Sequence, residues 1–229
     1  DLGPLLLKGV DRQIGLTERV CAAIDDTRHP GYITHSLHDI LKQRIYQIAS
    51  GYEDGNDCNS LRHDPMFRLG VGCKPFDSDA AEGALASGST ISRFEHAVSS
   101  KDIYRLSEAL VDQFIAGYAT PPEALVLDID HSEDAAYGQQ PLAFYNHHYQ
   151  STCYLPLMVF EGLSGALVAA VLRPGKRPTG AENAMILKRV LRRMREHFPN
   201  THILVRGDGH FSTPELMAMI DGMAHTDFI

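Results

Sequence analysis

Three aspartates stand at the ends of apolar, β-rich segments, where an acidic side chain is unusual. Asp128 and Asp130 end the run at residues 125–130, and Asp208 ends a similar run at residues 203–208. A carboxylate at the end of a buried strand is costly unless something compensates its charge, and a divalent cation is a common compensation. The pattern therefore predicts carboxylate ligands of a Mg²⁺ or Mn²⁺ site of the kind that supports phosphoryl transfer.

The spacing of Asp128 and Asp130 predicts that both side chains share one face of a strand, because side chains alternate along a strand. Aspartate is depleted in strands, so a pair of them on one face favours a functional role. Asp208 precedes Gly209, and taken by itself it is explained better as a structural turn residue than as a catalytic one.

The segments around these acids predict an ordered set of strands and helices after residue 120, where the apolar period changes from 3.6 to 2. In chain order they are strands at 125–130, 154–160 and 166–172, a helix at 179–197, a strand at 202–206 and a helix that begins at Thr213. This β-β-β-α-β-α order is part of an RNase H-like core. In such a sheet the strand that ends at Asp208 neighbours the strand of Asp130.

Residues 1–120 predict a helical region, so the fold class is α+β, with residues 121–229 forming the partial RNase H-like core. Helical spacing of apolar residues recurs here, and Thr17 and Ser89 are candidate N-caps. The stretch 70–88 is rich in Gly, Ser and Asp and predicts a loop or a weak helix. The helix after Ser89 fits the second helix of a helix-turn-helix, although helical packing explains it as well.

The overall charge argues against nucleic-acid binding over the whole surface. The chain has 21 Lys and Arg against 29 Asp and Glu, a formal net charge of −8, whereas phosphate contacts require cations. Segment 173–195 is an exception, because it is strongly basic. On its helix we expect a basic face that contacts DNA or is simply solvated, formed by Lys188, Arg189, Arg192 and Arg193.

The cysteine pattern and the hydropathy exclude two further classes. The four cysteines include no C-x-x-C pair, which predicts reduced thiols and no zinc knuckle or disulfide framework. No apolar run reaches the length of a membrane span.

Several passages resemble the DDE transposases of bacterial insertion sequences, most closely the set called transposase DDE domain group 1. Residues 127–134, with Gly138-Gln139-Gln140, resemble its first-aspartate strand and Gly-Gln-Gln loop. Residues 205–211 resemble its second-aspartate segment. Residues 154–157 and 172–175 resemble the hairpin of that family. Residues 44–54, 61–65 and 89–95 resemble its helical N-terminal region.

The resemblance implies an RNase H-like core that cuts DNA strands at transposon ends and joins them to target DNA, with Mg²⁺ or Mn²⁺. Asp130 corresponds to the first catalytic acid and metal ligand, because Asp130-His131-Ser132 lines up with the family's Asp-x-Ser/Thr. Asp128 is the alternate first acid, and Asp208 corresponds to the second acid and metal ligand. The third acid, a Glu on a later helix, is expected beyond residue 229.

The implied partners are transposon-end and target DNA and a second copy of the chain in the synaptic complex, with no membrane. The implied location is the cytoplasm, in association with the nucleoid. Tyr145 and His148 are further residues that could touch DNA or the active site.

The sequence also departs from the family pattern. His210 replaces a Gly and Gly209 replaces a Ser of the second-acid segment. The strand and helix that carry the last Glu are expected to be absent, so the chain is expected to be C-terminally truncated and inactive alone. Two alternatives stay open: a non-catalytic DNA-binding or regulatory remnant acting through residues 30–118, and an unrelated acidic metal-dependent phosphohydrolase.

Overall fold

The structure, a computed structural model, describes residues 2–73 and 83–229 of the 229-residue chain. The chain divides into two compact units, Asp1–Leu106 and Ser107–Ile229. Most of the stretch predicted as a loop or weak helix at 70–88 falls on residues 74–82, which lie outside the described residues.

The first unit is built from helices, as the apolar spacing predicts. They are α1 (Gly3–Ile14), α2 (Leu16–Ala22), α3 (Leu37–Ala49), α4 (Asp57–Leu61), α5 (Pro65–Val71) and α6 (Gly88–Ala97), with a short 3₁₀ turn at Pro30–Tyr32. Helix α7 (Ser100–Ile115) begins in the first unit and ends in the second.

Two predicted helix caps in this unit are wrong. Thr17 lies inside α2, where its hydroxyl donates to Oδ2 of Asp11 at 2.6 Å, and the residue before α2 is Gly15 in a left-handed conformation. Ser89 is the second residue of α6, whose N-cap is Ser87. In both places the N-cap lies two residues before the predicted one.

Gln43 is a buried polar residue in the interior of the first unit. Its side chain is 1% exposed and bonds to both the backbone N–H and the C=O of Ala86, each at 2.8 Å. A buried amide is tolerated when its donors and acceptors are paired. The same unit contains two apolar clusters, one of Ile40, Cys58, Ala86 and Ile91 and the other of Tyr46, Phe67, Val71 and Leu85.

The second unit combines strands with helices. The strands are β1 (Ala124–His131), β2 (Asp134–Ala135), β3 (Phe144–Asn146), β4 (Ser151–Tyr154), β5 (Leu157–Glu161), β6 (Leu167–Val171), β7 (His202–Gly207) and β8 (Thr226–Phe228). Helix α8 (Gly180–His197) connects β6 to β7, and α9 (Pro214–Asp221) connects β7 to β8.

The main sheet has the strand order β6-β5-β1-β7-β8. Strand β1 is antiparallel to β5, and β5 is antiparallel to β6, whereas β1, β7 and β8 run parallel to one another. Parallel neighbours require crossover connections, which α8 and α9 supply. This arrangement is RNase H-like, so the predicted α+β class and the predicted adjacency of the two acid-bearing strands are confirmed.

One face of the main sheet forms the core of the second unit. Along β1 the burial alternates, with Leu125, Leu127 and Ile129 buried and Asp130 exposed on the other face. The apolar side of α8 belongs to the same core. Each fully buried Leu or Ile contributes about 1.5–3 kcal/mol, so this packing holds the strand ends in place.

The predicted strand at 154–160 is two strands. Strand β4 ends at Tyr154 and belongs to a second sheet with the order β2-β4-β3, whereas β5 begins at Leu157 in the main sheet. Pro156 separates them, because proline has no N–H to donate to a sheet. The sequence did not predict β2 or β3.

The strand expected to be absent after the last predicted helix is present. It is β8, which pairs in parallel with β7 and sets Asp227 opposite Leu204. The expectation that this strand is missing is therefore wrong. Its three residues are too few for a period-two pattern to be recognised.

The described residues bear on two further sequence predictions. Cys21, Cys58, Cys73 and Cys153 are free thiols. Among residues 2–73 and 83–229, no helix has both the length and the apolar character needed to cross a membrane.

Candidate active site

The parallel pairing of β1 with β7 brings the two acid-bearing strand ends together. In this pairing Asp128 lies opposite Arg206, and Ile129 lies opposite Gly207. Asp130 and Asp208 each follow this last parallel pair by one residue, so the two aspartates lie at neighbouring strand ends although they are distant in sequence.

The carboxylate of Asp128 forms an ion pair across the two strands. Nε and Nη2 of Arg206 lie 2.6 Å and 2.7 Å from Oδ1 and Oδ2 of Asp128, a bidentate arrangement that raises the pKa of Arg206. Gly162 lies against the pair, and a Cβ there would be 2.9 Å from Oδ2 of Asp128. Because Arg206 compensates this carboxylate, Asp128 is a weaker candidate metal ligand than Asp130.

Asp130 and Asp208 are both exposed, and each is oriented by a local hydrogen bond. The backbone N–H of His131 donates to Oδ1 of Asp130 at 2.7 Å. The backbone N–H of His210 donates to Oδ1 of Asp208 at 2.9 Å, and Nδ1 of His210 lies 3.8 Å from Oδ2. These contacts hold both carboxylates at the solvent-facing edge of the sheet.

The phenol of Tyr149 lies within electrostatic range of both aspartates. Burial raises the pKa of this phenol, and the negative charges of Asp130, Glu133 and Asp208 raise it further. Its Oη lies 3.4 Å from the backbone C=O of His131.

An aromatic stack joins the two strand ends. The rings of His131 and Phe211 lie 4.8 Å apart with 4° between their planes. Both residues are buried, and the N–H of Phe211 donates to the C=O of Asp208 at 3.0 Å. Burial lowers the pKa of His131, an effect that Asn183 and Asp130 oppose. The stack thus connects the residue after Asp130 to the turn after Asp208.

The basic residues predicted to contact DNA have different environments on α8. Lys188, Arg189 and Arg192 are exposed. The guanidinium of Arg193 bonds to both carboxylate oxygens of Asp112 on α7, at 2.7 Å and 2.8 Å, and these bonds raise its pKa. Arg193 therefore fastens α8 to α7, and the exposed basic face consists of the other three residues.

The donor chemistry of Asp130 and Asp208 fits part of a magnesium or manganese site. Mg²⁺ takes oxygen ligands and retains several waters, so few carboxylates are needed. Ligands on strands are positioned more rigidly than ligands on loops. Within the described part of the chain, however, no group of three or more His, Cys, Asp or Glu side chains is arranged to hold a metal ion.

Sequence reasoning missed three side chains that shape this region: Arg206, Phe211 and the ring of His131. Arg206 is recognisable only once the register of β1 and β7 is known. The strand pattern indicated His131 only weakly, because this residue continues the apolar face of β1 directly after Asp130. Phe211 lies within the second-aspartate segment, but its partner is distant in sequence.

These features define a class: an RNase H-like protein with acidic side chains at the adjacent ends of its central strands. The transposase DDE domain group 1 family matches residues 1–229, which is the whole chain. The chain belongs to this family, and the resemblance found in its sequence is confirmed.

Among solved structures, the chain is similar to that of a piggyBac transposase synaptic complex with hairpin DNA, determined by cryo-EM. The sequence identity is 14% and the TM-score is 0.46, over 100% of this chain and 50% of that chain. The chain therefore spans about half the length of that solved chain. No curated protein matches the chain.

Proposed function

We propose that this chain carries the catalytic acids of a transposase that cuts DNA at insertion-sequence ends and joins those ends to target DNA. The observation that carries the proposal is the parallel pairing of β1 with β7, which ends one residue before Asp130 and one residue before Asp208, both of them exposed. Membership of the transposase DDE domain family supports the same reaction.

Asp130 and Asp208 are the proposed catalytic residues and the proposed ligands of Mg²⁺ or Mn²⁺. Such a cation polarises the phosphoryl oxygens and favours deprotonation of the attacking hydroxyl or water. The backbone N–H groups of His131 and His210 orient the two carboxylates. Arg206 holds Asp128 in an ion pair beside them, so Asp128 acts by positioning in this proposal.

Two carboxylates hold a divalent cation weakly. No third metal-ligating side chain is grouped with them among the described residues. We therefore assign DNA cleavage and strand transfer to the full-length protein and expect this chain alone to be inactive. The proposed partners are transposon-end and target DNA and a second copy of the protein in the synaptic complex, and the proposed location is the cytoplasm, at the nucleoid.

The decisive experiment measures Mg²⁺-dependent nicking of a plasmid that carries the insertion-sequence ends, with the full-length protein. Asp130→Asn and Asp208→Asn are each expected to abolish nicking. The matched control is Asp227→Asn on β8, an exposed acid that pairs with His202 at 2.8 Å and lies outside the proposed site. Nicking retained by both site variants would reject the assignment.

A second candidate is a non-catalytic DNA-binding remnant or regulator of transposition. The absence of a three-residue metal group in the described chain favours it. This candidate assigns end recognition to residues 30–118, within the proposed DNA-binding or assembly region 1–120. Footprinting separates the two: protection of the ends without metal, together with no cleavage by the full-length protein, supports the remnant.

A further inference from the structure

A cavity of about 390 Å³ opens in the second unit beside the two acids. Its lining includes His131, which follows Asp130, and His210, which follows Asp208 by two residues. The volume falls within the range of about 300–1,000 Å³ that is usual for small-molecule sites. The cavity therefore lies at the same ends of β1 and β7 as the two acids, although neither acid lines it.

Two buried polar side chains that line the cavity lie against each other. His131 is 9% exposed and Asn183 is 3% exposed. The side chain of Asn183 lies within hydrogen-bonding reach of the His131 ring and opposes the lowering of its pKa by burial, and Nε2 of His131 and Oδ1 of Asn183 have no further partner among the described residues. A ligand edge that carries both a donor and an acceptor fits this pair.

Aromatic rings form another part of the lining. Tyr145 and His147 make an edge-to-face pair at 5.1 Å, and His148 and Tyr149 make a second at 4.8 Å. Asn146 fixes this segment, because its Oδ1 accepts the N–H of His148 at 2.9 Å. Aromatic faces held in place in this way suit a flat, conjugated ligand.

Two cations complete the lining. Lys176 and Arg177 border the cavity, and Nζ of Lys176 lies 4.3 Å from the ring centroid of Phe144. The amide of Asn146 donates to the C=O of Gly175 at 3.3 Å, which ties this segment to the aromatic one. Positive charge beside aromatic rings favours a ligand that joins a phosphate to a planar ring.

We propose that this cavity receives one unpaired nucleotide of the DNA substrate next to the acid pair. Its base edge meets His131 and Asn183, and its ring lies against the aromatic residues that include Tyr145. Its phosphate lies near Lys176 and Arg177. The inference rests on the proposed function and deepens it, because it specifies the state of the DNA at the site: one base out of the stack.

The test measures binding without catalysis, in EDTA, by fluorescence anisotropy. Two duplexes of equal length are compared, one fully paired and one with a single unpaired 2-aminopurine. The wild-type chain is expected to bind the second probe about tenfold more tightly, because stacking of one base on an aromatic side chain raises the affinity by a factor of about that size. The 2-aminopurine emission is expected to be quenched as the base stacks on an aromatic ring.

The variants separate this cavity from general DNA binding. Tyr145→Ala and Asn183→Ala are expected to abolish the preference for the unpaired probe and leave affinity for the paired duplex unchanged. Tyr145→Phe is expected to keep the preference, because its ring still stacks. Tyr137→Ala is the matched control, since Tyr137 is 90% exposed and does not line the cavity.

Equal affinity of the wild-type chain for the two probes would overturn the inference while leaving the proposed function intact. A preference that survives both Tyr145→Ala and Asn183→Ala would also overturn it, because the base would then bind elsewhere. Failure to bind either duplex would count against both proposals. Tyr145 is 56% exposed, so its variants are expected to fold, which circular dichroism checks.

Discussion

His131 and Phe211 stack face to face, 4.8 Å apart, and join the end of β1 to the turn after β7. Asp130 precedes the first of these residues, and Asp208 lies three positions before the second. The stack therefore connects the two segments that carry these acids through a buried contact that neither acid makes. A site built on two strand ends needs such a contact, because small displacements of metal ligands reduce affinity.

The first prediction concerns this stack. His131→Ala is expected to weaken Mn²⁺ binding about tenfold, as is usual when a residue that orients ligands is lost. His131→Phe keeps a flat ring against Phe211 and is expected to retain most of the affinity. Titration calorimetry with Mn²⁺ measures both, and thermal melting separates lost affinity from lost folding. Equal Mn²⁺ affinity in His131→Ala and the wild type would show that the stack does not position the acids.

The second prediction distinguishes the two aspartates of β1. Asp130→Asn is expected to abolish nicking by the full-length protein, whereas Asp128→Asn is expected to reduce it only about tenfold, because Asp128 acts through its ion pair. Nicking rates at saturating Mg²⁺ measure both. Arg206→Met provides the matched control, since it breaks the same pair from the other side and is expected to resemble Asp128→Asn. The reverse order of severity would make Asp128 the ligand.

Much of the second unit could be predicted from the sequence because its elements are long and periodic. Strand β1 and helix α8 lie within one or two residues of their predicted bounds. The capping box of Thr179 and Glu182 begins α8. The adjacency of β1 and β7 followed from the order of elements, which restricts how an RNase H-like sheet can be connected.

The missed features depend on contacts between distant residues or on very short segments. Strands β2, β3 and β8 have two or three residues each, too few for a periodic pattern. The pairing of Arg206 with Asp128 and the stack of His131 on Phe211 depend on strand register, which no local pattern encodes. Thr17 failed as a cap because its hydroxyl bonds to Asp11 of the preceding helix.

The third prediction concerns the exposed basic face of α8. Lys188→Ala and Arg192→Ala are each expected to weaken DNA binding and to lower the salt slope of the affinity by about 1, as the loss of one phosphate contact does. Neither is expected to change the melting temperature, because both side chains are exposed. Anisotropy titrations over a range of salt concentrations measure the slope.

Arg193→Ala serves as the contrasting variant for the basic face. Its guanidinium is engaged by Asp112 and Glu196, so its loss is expected to cost about 0.2–1 kcal/mol of stability and to leave the salt slope unchanged. An unchanged slope in Lys188→Ala and Arg192→Ala would mean that this face is only solvated.

The fourth prediction concerns Asp102, a buried carboxylate of the first unit that is 4% exposed. It accepts hydrogen bonds from Oγ and N–H of Ser99 at 2.6 Å and 2.9 Å and from the N–H of Asp25 at 3.2 Å, and it contacts the Arg105 guanidinium. The Ser99 bonds are the main cause of a strongly lowered pKa of Asp102, and the others add to it.

A pKa lowered on folding stabilises the folded state above the unfolded pKa, about 3.9 for Asp. This stabilisation is lost as the pH falls below that value towards the folded pKa. Asp102→Asn is therefore expected to destabilise the protein at neutral pH, and the difference from the wild type is expected to shrink in acid. Urea unfolding as a function of pH measures the difference. Glu53→Gln, at an exposed position of the same unit, is the control expected to show little change, and a difference that grew in acid would contradict the assignment.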